Sequence, residues 1–96
     1  MNQSKFFYLG KITRKFSFKG ELIIFLDTDS PSTYYDLKKV YLKEDDSYLP
    51  YFISDISKYK NNSVRVKFED IENESMASNL INKEIFLPIN ELPKLD

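Results

Sequence analysis

The chain has 96 residues, no cysteine, no histidine and a formal net charge of −1. It is long enough for one hydrophobic core but not for two, and its 42% hydrophobic and 16% aromatic content is that of a folded protein. The missing residue types exclude disulfides, cysteine- or histidine-ligated metal sites and every Ser-His-Asp or Cys-His nucleophile. No apolar run approaches the roughly 20 residues of a membrane helix, and no export signal precedes the first aromatics. These features predict a cytoplasmic protein.

Charge is unevenly distributed along the chain. Residues 1–20 carry five bases and no acid, whereas residues 21–96 carry nine bases and fifteen acids. Short chains often segregate charge by chance. The alternative is a basic surface loop that faces an anionic partner such as RNA.

The first third of the chain predicts two strands joined by a basic connection. Tyr8–Ile12 is expected to form the first strand, with Gly10 marking a bulge or a close approach between backbones. Thr13–Gly20 is a polar, basic connection. Glu21–Leu26 is apolar at five successive positions, which predicts a strand covered on both faces for part of its length.

The next segment predicts a helical turn and another strand. Asp27–Ser32 is rich in turn formers, and a Ser or Thr cap favours a short helical turn through Tyr34–Leu37. Val40–Lys43 is expected to be a strand, and Glu44–Ser47 is the turn that follows it.

Two further strands are predicted around an asparagine-rich turn. Tyr48–Tyr59 is expected to be a long, irregular strand, in which Pro50 indicates an edge or a bulge. Lys60–Asn62 predicts a hairpin turn because asparagine tolerates positive φ. Ser63–Phe68 alternates cleanly between apolar residues on one face and polar or basic residues on the other.

One helix is predicted near the carboxyl end. Asn73–Ile81 has a capping asparagine at its start, and Asn82 is suited to close it in the left-handed conformation. The residues expected on its buried stripe are Met76, Leu80 and Ile81. Glu84–Pro88 predicts a last strand, and Pro93 ends a short terminal turn.

Six short strands with one small helix predict an all-β fold, a compact antiparallel β-barrel and not a parallel α/β sheet. No internal repeat or linker divides the chain. Residues 1–96 are therefore expected to form a single domain.

Several weak motifs in order make the chain similar to the N-terminal domain of the RimM family of ribosome maturation factors. The matching segments are Gly10-Lys11-Ile12, Gly20-Glu21-Leu22-Ile23-Ile24, Val64–Phe68, Glu69-Asp70-Ile71, Glu74–Ile81, Lys83–Pro88 and Glu91–Leu95. The chain departs from the family pattern at Phe16-Ser17, where a His-Gly-like pair is common. It departs again at Asn82, where a glycine commonly follows the helix.

The resemblance implies a six-stranded barrel like those of translation factors and flavin reductases. It also implies a non-enzymatic role in assembling the head of the small ribosomal subunit and in processing its RNA. The expected partners are ribosomal protein S-nineteen and nearby ribosomal RNA, with no cofactor, no DNA and no membrane. Family members usually continue into a second, PRC-barrel domain, which is expected to be absent from this chain.

The basic connection is the leading candidate for partner binding. Its cations are candidates for contacting RNA phosphates. Its two phenylalanines are candidates for stacking on a base or filling a pocket on a protein. The alternative is that a phenylalanine packs back on the barrel and that the lysines are merely solvated. The candidate residues are Lys11, Arg14, Lys15, Phe16, Phe18, Lys19, Gly20 and Glu21. Among them, Gly20 is expected to serve backbone geometry, and Glu21 an interface or structural role.

Two other groups of residues favour structural interpretations. The tyrosines suit half-buried barrel positions as well as interfaces, and core or rim packing is favoured for Tyr34, Tyr35, Tyr41, Tyr48, Tyr51 and Tyr59. The acids match no known metal-binding loop, and solvated turns are favoured for Asp27, Asp29, Asp36, Glu44, Asp45 and Asp46.

Two alternative functions remain open at this level. Similar barrels serve in reductases, so the chain is alternatively a flavin- or nucleotide-binding domain, which would need chemistry from another chain. The third hypothesis is a general barrel that binds single-stranded RNA without ribosome specificity.

Overall fold

The computed structural model of the chain describes residues 6–89, and these form six β-strands, one short α-helix and one 3-10 helix. The strands are β1 (Phe6–Lys15), β2 (Leu22–Leu26), β3 (Lys39–Glu44), β4 (Ser47–Lys58), β5 (Ser63–Phe68) and β6 (Glu84–Pro88). The α-helix α1 spans Glu74–Ser78, and the 3-10 helix spans Pro31–Tyr34.

The six strands close into an antiparallel barrel in the order β1-β2-β5-β4-β3-β6. The ring is completed by β3 and β6, which pair at Tyr41 with Phe86 and at Leu42 with Ile85. The predicted fold class, a six-stranded antiparallel barrel with one short helix, is confirmed.

Alternating residues fill the interior of the barrel. Val64, Val66 and Phe68 of β5 are each no more than 1% exposed, as their period of two predicts. In β2 the alternation breaks, because Ile23 is buried as well but lies outside the core cluster. This confirms that β2 is covered on both faces for part of its length.

Gly10 lies where two backbones approach closely. A Cβ atom at this position would lie 1.9 Å from the carbonyl oxygen of Phe25, so no side chain fits. The pairing of β1 with β6 also shifts register between Tyr8 and Gly10. Both features expected of this glycine, a bulge and a close approach, are present.

The hairpin turns follow the predicted chemistry. Asp45 and Asn61 adopt φ values of 55° and 59° in the two turns that flank β4, and Asn82 adopts 76° after the helical segment. Pro50 pairs with Tyr41 in β3, whereas β5 pairs with β4 only from Ile53 onward. Pro50 therefore lies on an open edge, where its missing N–H costs no hydrogen bond.

The two helical segments were predicted imprecisely. The α-helix is shorter than Asn73–Ile81, although Asn73 caps it by accepting a hydrogen bond of 2.9 Å from the Met76 backbone N–H. Its buried residue is Ala77, whereas Met76 is 39% exposed, so the predicted stripe is wrong at that position. Leu80 is buried beyond the helix end.

The other helical turn begins earlier than expected, at Pro31 and not at Tyr34. Ser30 makes no side-chain capping bond, and Pro31 sets φ for the first turn instead. The first strand is longer than predicted, since β1 continues to Lys15 and shortens the connection to residues 16–21. The expected turn at Pro93 and the motif Glu91–Leu95 lie outside the described residues.

We expect Gly10→Ala to destabilise the domain by about 3 kcal/mol, because the new methyl group meets the backbone of β2 and cannot be relieved by a side-chain rotation. Urea unfolding measures the effect. Ser47→Ala, at an exposed strand position, is the control and should change stability by less than about 0.5 kcal/mol. Equal stability of the two variants would contradict the close approach at Gly10.

Candidate partner-binding site

The connection between β1 and β2 is a tight hairpin loop made of residues 16–21. The Phe16 N–H donates to the Glu21 carbonyl at 2.8 Å and closes it. Gly20 is buried with a φ of 98°, and a Cβ atom there would lie 2.5 Å from the Ile71 carbonyl oxygen. Gly20 therefore serves the backbone geometry, letting the loop lie against the segment that leads into α1.

A chain of polar contacts fixes the loop to the barrel wall. The Ser17 hydroxyl donates to one oxygen of Glu21 at 2.9 Å and accepts from the Lys19 N–H at 3.2 Å. The second Glu21 oxygen accepts a hydrogen bond from the Arg65 guanidinium at 2.6 Å, and the same guanidinium donates to Asp55 at 2.8 Å. Arg65 thus links the loop to β4 and β5 through one guanidinium.

Two of the cations in the hairpin have partners within the domain. Arg14 donates to the Tyr59 hydroxyl at 2.6 Å and also lies over its ring, at 5.5 Å from the centroid. Lys15 pairs with Glu74 at the start of α1, at 3.3 Å. These contacts occupy Arg14 and Lys15 at the base of the loop.

The two phenylalanines of the loop differ in their surroundings. Phe16 is 41% exposed and packs edge-on against Tyr59, with 5.6 Å between the ring centroids. The Arg65 guanidinium lies over the Phe16 ring, 6.0 Å from its centroid. Phe18 is 75% exposed, the largest exposure of any large apolar side chain among residues 6–89. Phe16 supports the loop, and Phe18 is left to meet solvent or a partner.

The structure brings seven of the eight candidate residues together at this hairpin. Lys11 is separate, because it lies in the middle of β1 and pairs with Phe25 of β2 and Glu84 of β6. Among the described residues, Lys11 and Lys19 make no ion pair. Lys19 is exposed beside Phe18 at the tip of the loop.

Four residues of the site were missed at the sequence level. They are Tyr59, Arg65, Asp55 and Glu74. Tyr59, Arg65 and Glu74 lie 44 to 59 positions beyond the hairpin residues that they contact, and Asp55 contacts Arg65. A weak signal existed for Arg65, which stands on the polar face of an alternating strand. Its partners depend on which strand lies beside β5, and that is decided by the barrel.

The hairpin is an exposed loop braced by polar contacts to the barrel wall. Within residues 6–89, no three acidic side chains are grouped so that they could hold a metal ion. No helix in the same part of the chain is long and apolar enough to cross a membrane. The hairpin presents Phe18, its most exposed ring, beside the exposed Lys19 on a braced loop.

The fold is a small antiparallel β-barrel domain with an exposed hairpin between its first two strands. The chain belongs to the RimM family, since the family's N-terminal domain matches residues 7–92. The recognition made from the ordered motifs is therefore confirmed.

Curated relatives of this chain are ribosome maturation factors RimM. The protein from Flavobacterium psychrophilum is 45% identical over 95 residues, which are 99% of this chain and 55% of the relative. The protein from Christiangramia forsetii is 46% identical over 95 residues, with 99% and 54% covered. The chain thus spans about half the length of these relatives.

Solved structures share the fold. A putative 16S ribosomal RNA processing protein RimM from Pseudomonas aeruginosa superimposes with a TM-score of 0.82 at 20% identity, over 96% of this chain and 56% of that one. The N-terminal domain of RimM from Thermus thermophilus gives a TM-score of 0.75 at 17% identity, over 96% and 99%.

We expect Arg65→Met to destabilise the domain by about 1–2 kcal/mol, because it removes the charged partner of the partly buried Glu21 while keeping the aliphatic stem. Urea unfolding measures the loss, and amide hydrogen exchange at Phe16 and Gly20 reports loosening of the loop. Asp55→Asn is the matched control: its side chain is 61% exposed, so its loss should cost less than about 0.5 kcal/mol. Equal effects of the two variants would show that Arg65 does not act through Glu21.

Proposed function

We propose that this chain is the partner-binding domain of a cytoplasmic ribosome maturation factor, and that its hairpin loop contacts the head of the immature small ribosomal subunit. Ribosomal protein S-nineteen is the expected contact. Membership of the RimM family and the names of the curated relatives support the ribosomal role. The exposure of Phe18 on a braced loop supports the choice of the hairpin.

The hairpin favours a protein contact over a phosphate contact. Arg14 and Lys15 already have partners, so presenting them to RNA would first break those interactions. Phe18 has no such cost. Burying a phenylalanine in a partner's pocket contributes about 1.5–3 kcal/mol, and aromatic residues at the centre of an interface are typical hot spots.

The rigidity of the loop favours tight binding through this contact. Glu21 is held by Ser17 and Arg65, and the backbone closes between Phe16 and Glu21. A loop fixed before binding loses little conformational entropy when it docks, so more of the contact energy appears as affinity. The proposed action is equilibrium binding that holds subunit components in place, with no bond made or broken.

The direct test is capture from cell extract with the immobilised domain, followed by identification of bound proteins and RNA. Recovery of small-subunit head components is the expected result. Recovery of unrelated proteins, or of a bound flavin or nucleotide, would contradict the proposal and favour the reductase-like alternative.

We expect Phe18→Ala to weaken binding to S-nineteen by at least about 30-fold, the loss typical of a hot-spot side chain, with no loss of stability. Isothermal titration calorimetry with the purified ribosomal protein measures the affinity. Phe25→Ala is the matched control, since Phe25 is 39% exposed on the wall of β2, away from the loop. Unchanged binding by Phe18→Ala would rule out the hairpin tip as the contact.

A charge variant separates a protein contact from an RNA contact at the same loop. Arg14→Ala combined with Lys15→Ala should reduce affinity for the captured subunit components less than Phe18→Ala does. The reason is that Arg14 is already bonded to Tyr59 and Lys15 to Glu74. Affinity should also depend weakly on salt. A steep fall with added salt, abolished by the double variant, would show that the loop binds RNA phosphates instead.

A further inference from the structure

The outer face of the β3–β4 hairpin carries a regular array of aromatic rings and lysines. Cross-strand pairing places Lys39 opposite Phe52, Tyr41 opposite Pro50 and Lys43 opposite Tyr48. We call this array the aromatic ladder, and its members are Lys39, Tyr41, Lys43, Tyr48, Pro50 and Phe52. By strand order it lies on the side of the barrel opposite β2, which carries the end of the hairpin loop.

Neighbouring rings hold the ladder in place. Phe86 of β6 pairs with Tyr41 and packs edge-on against Tyr48 at 5.1 Å. Phe6 stacks on Tyr48 at 4.1 Å and meets Tyr41 edge-on at 5.0 Å. These contacts hold Tyr41 and Tyr48 in place, while Phe52 at the margin of the ladder is 50% exposed.

Lysine ammonium groups lie on the rings of the ladder. Lys39 lies 5.2 Å from the Tyr41 centroid and 5.5 Å from that of Phe52, and Lys43 lies 6.0 Å from that of Tyr48. The two lysines flank Tyr41 along β3, each about 7 Å away along the strand. A contact between an ammonium and a ring is weaker than base stacking, so a base can displace the ammonium from the exposed face of Phe52.

Acidic residues confine the positive charge to β3. Asp27 and Glu84 lie near Tyr8 on the β1 side, where burial, followed by these two acids, raises the pKa of Tyr8. Asp45 and Asp46 are exposed in the turn beyond Lys43. An anionic ligand is therefore directed along β3 toward Lys39 and Phe52.

The composition of the ladder distinguishes its occupant. The centre of a protein–protein interface is depleted in lysine, because desolvating an ammonium is costly. Surfaces for single-stranded nucleic acid combine aromatic stacking platforms with cations for the backbone phosphates. The ladder has the second composition.

We propose that the aromatic ladder binds single-stranded RNA, with an unpaired base stacked on Phe52 and backbone phosphates contacting Lys39 and Lys43. This goes beyond the protein contact proposed for the hairpin loop. The two surfaces lie on different sides of the barrel, so each can be present without the other.

The test uses fluorescence anisotropy with a labelled single-stranded RNA of about ten nucleotides and mixed sequence. Phe52→Leu keeps the apolar volume but removes the ring face. It should weaken binding at least five-fold, about the lower end of base–aromatic stacking. Phe25→Leu is the matched control, because it makes the same change at a similarly exposed phenylalanine on β2, and it should leave the affinity unchanged.

Salt dependence tests the phosphate contacts. Lys39→Gln combined with Lys43→Gln should make the slope of log affinity against log salt concentration shallower by about 1.4, since each phosphate contact on a single strand contributes about 0.7. A duplex of the same sequence should compete poorly, because its bases are already stacked. Urea unfolding of each variant checks that the barrel remains folded.

Four outcomes would overturn the proposal, and three of them concern the labelled RNA. They are equal RNA affinity of Phe52→Leu and the wild type, equal losses in Phe52→Leu and Phe25→Leu, and no binding of the RNA at about 50 mM salt. If Phe52→Leu reduces capture from extract even after ribonuclease treatment, the occupant is a protein and the proposal is wrong. None of these results bears on Phe18, whose effect is measured with purified S-nineteen and no RNA.

Discussion

The close approach of β1 and β2 at Gly10 is the constraint on which the rest of this barrel depends. β1 pairs with β2 on one edge and with β6 on the other, and both pairings shift register along it. These irregularities bend a ten-residue strand enough to serve both neighbours. A residue with a side chain at position 10 would hold the backbone of β2 away at Phe25. The hairpin loop that ends β1 takes its position from this fit.

The hairpin loop itself shows how a departure from a family pattern can be accommodated. Where a His-Gly-like pair is common in the family, this chain has Phe16-Ser17. Among residues 6–89, positive φ values occur at Asp45, Asn61, Asn82 and Gly20, so neither Phe16 nor Ser17 needs the freedom of glycine. The Ser17 hydroxyl instead bonds to Glu21, and the ring of Phe16 packs on Tyr59. The new side chains brace the loop and leave Phe18 exposed.

The ring order gives the domain two separated surfaces. The hairpin loop is supported by β5 through Arg65, whereas the aromatic ladder lies on β3 and β4, across the barrel from β2. A small barrel with two such faces is suited to hold two components at a fixed separation. For an assembly factor this geometry is useful, because holding a protein and a single-stranded RNA segment together raises their effective concentration. That division of roles rests on the two proposals.

The sequence by itself determined the six strands and the hairpin turns, because these depend on local chemistry, and the order of its motifs identified the family. The alternation in Ser63–Phe68, the asparagines at Asn61 and Asn82 and the cap at Asn73 act within a few residues, so their consequences are visible in one dimension. It also located the hairpin as the basic, aromatic connection.

Tertiary structure decided the partners of the hairpin cations. Arg14 donates a hydrogen bond to Tyr59, 45 positions away, and Lys15 forms an ion pair with Glu74. Only closure of the barrel brings these residues together. It likewise turned Ala77 and not Met76 toward the core, because the docking of a short helix on β1 selects its buried side. Contacts between distant residues depend on which strands become neighbours when the barrel closes, and no local pattern encodes that choice.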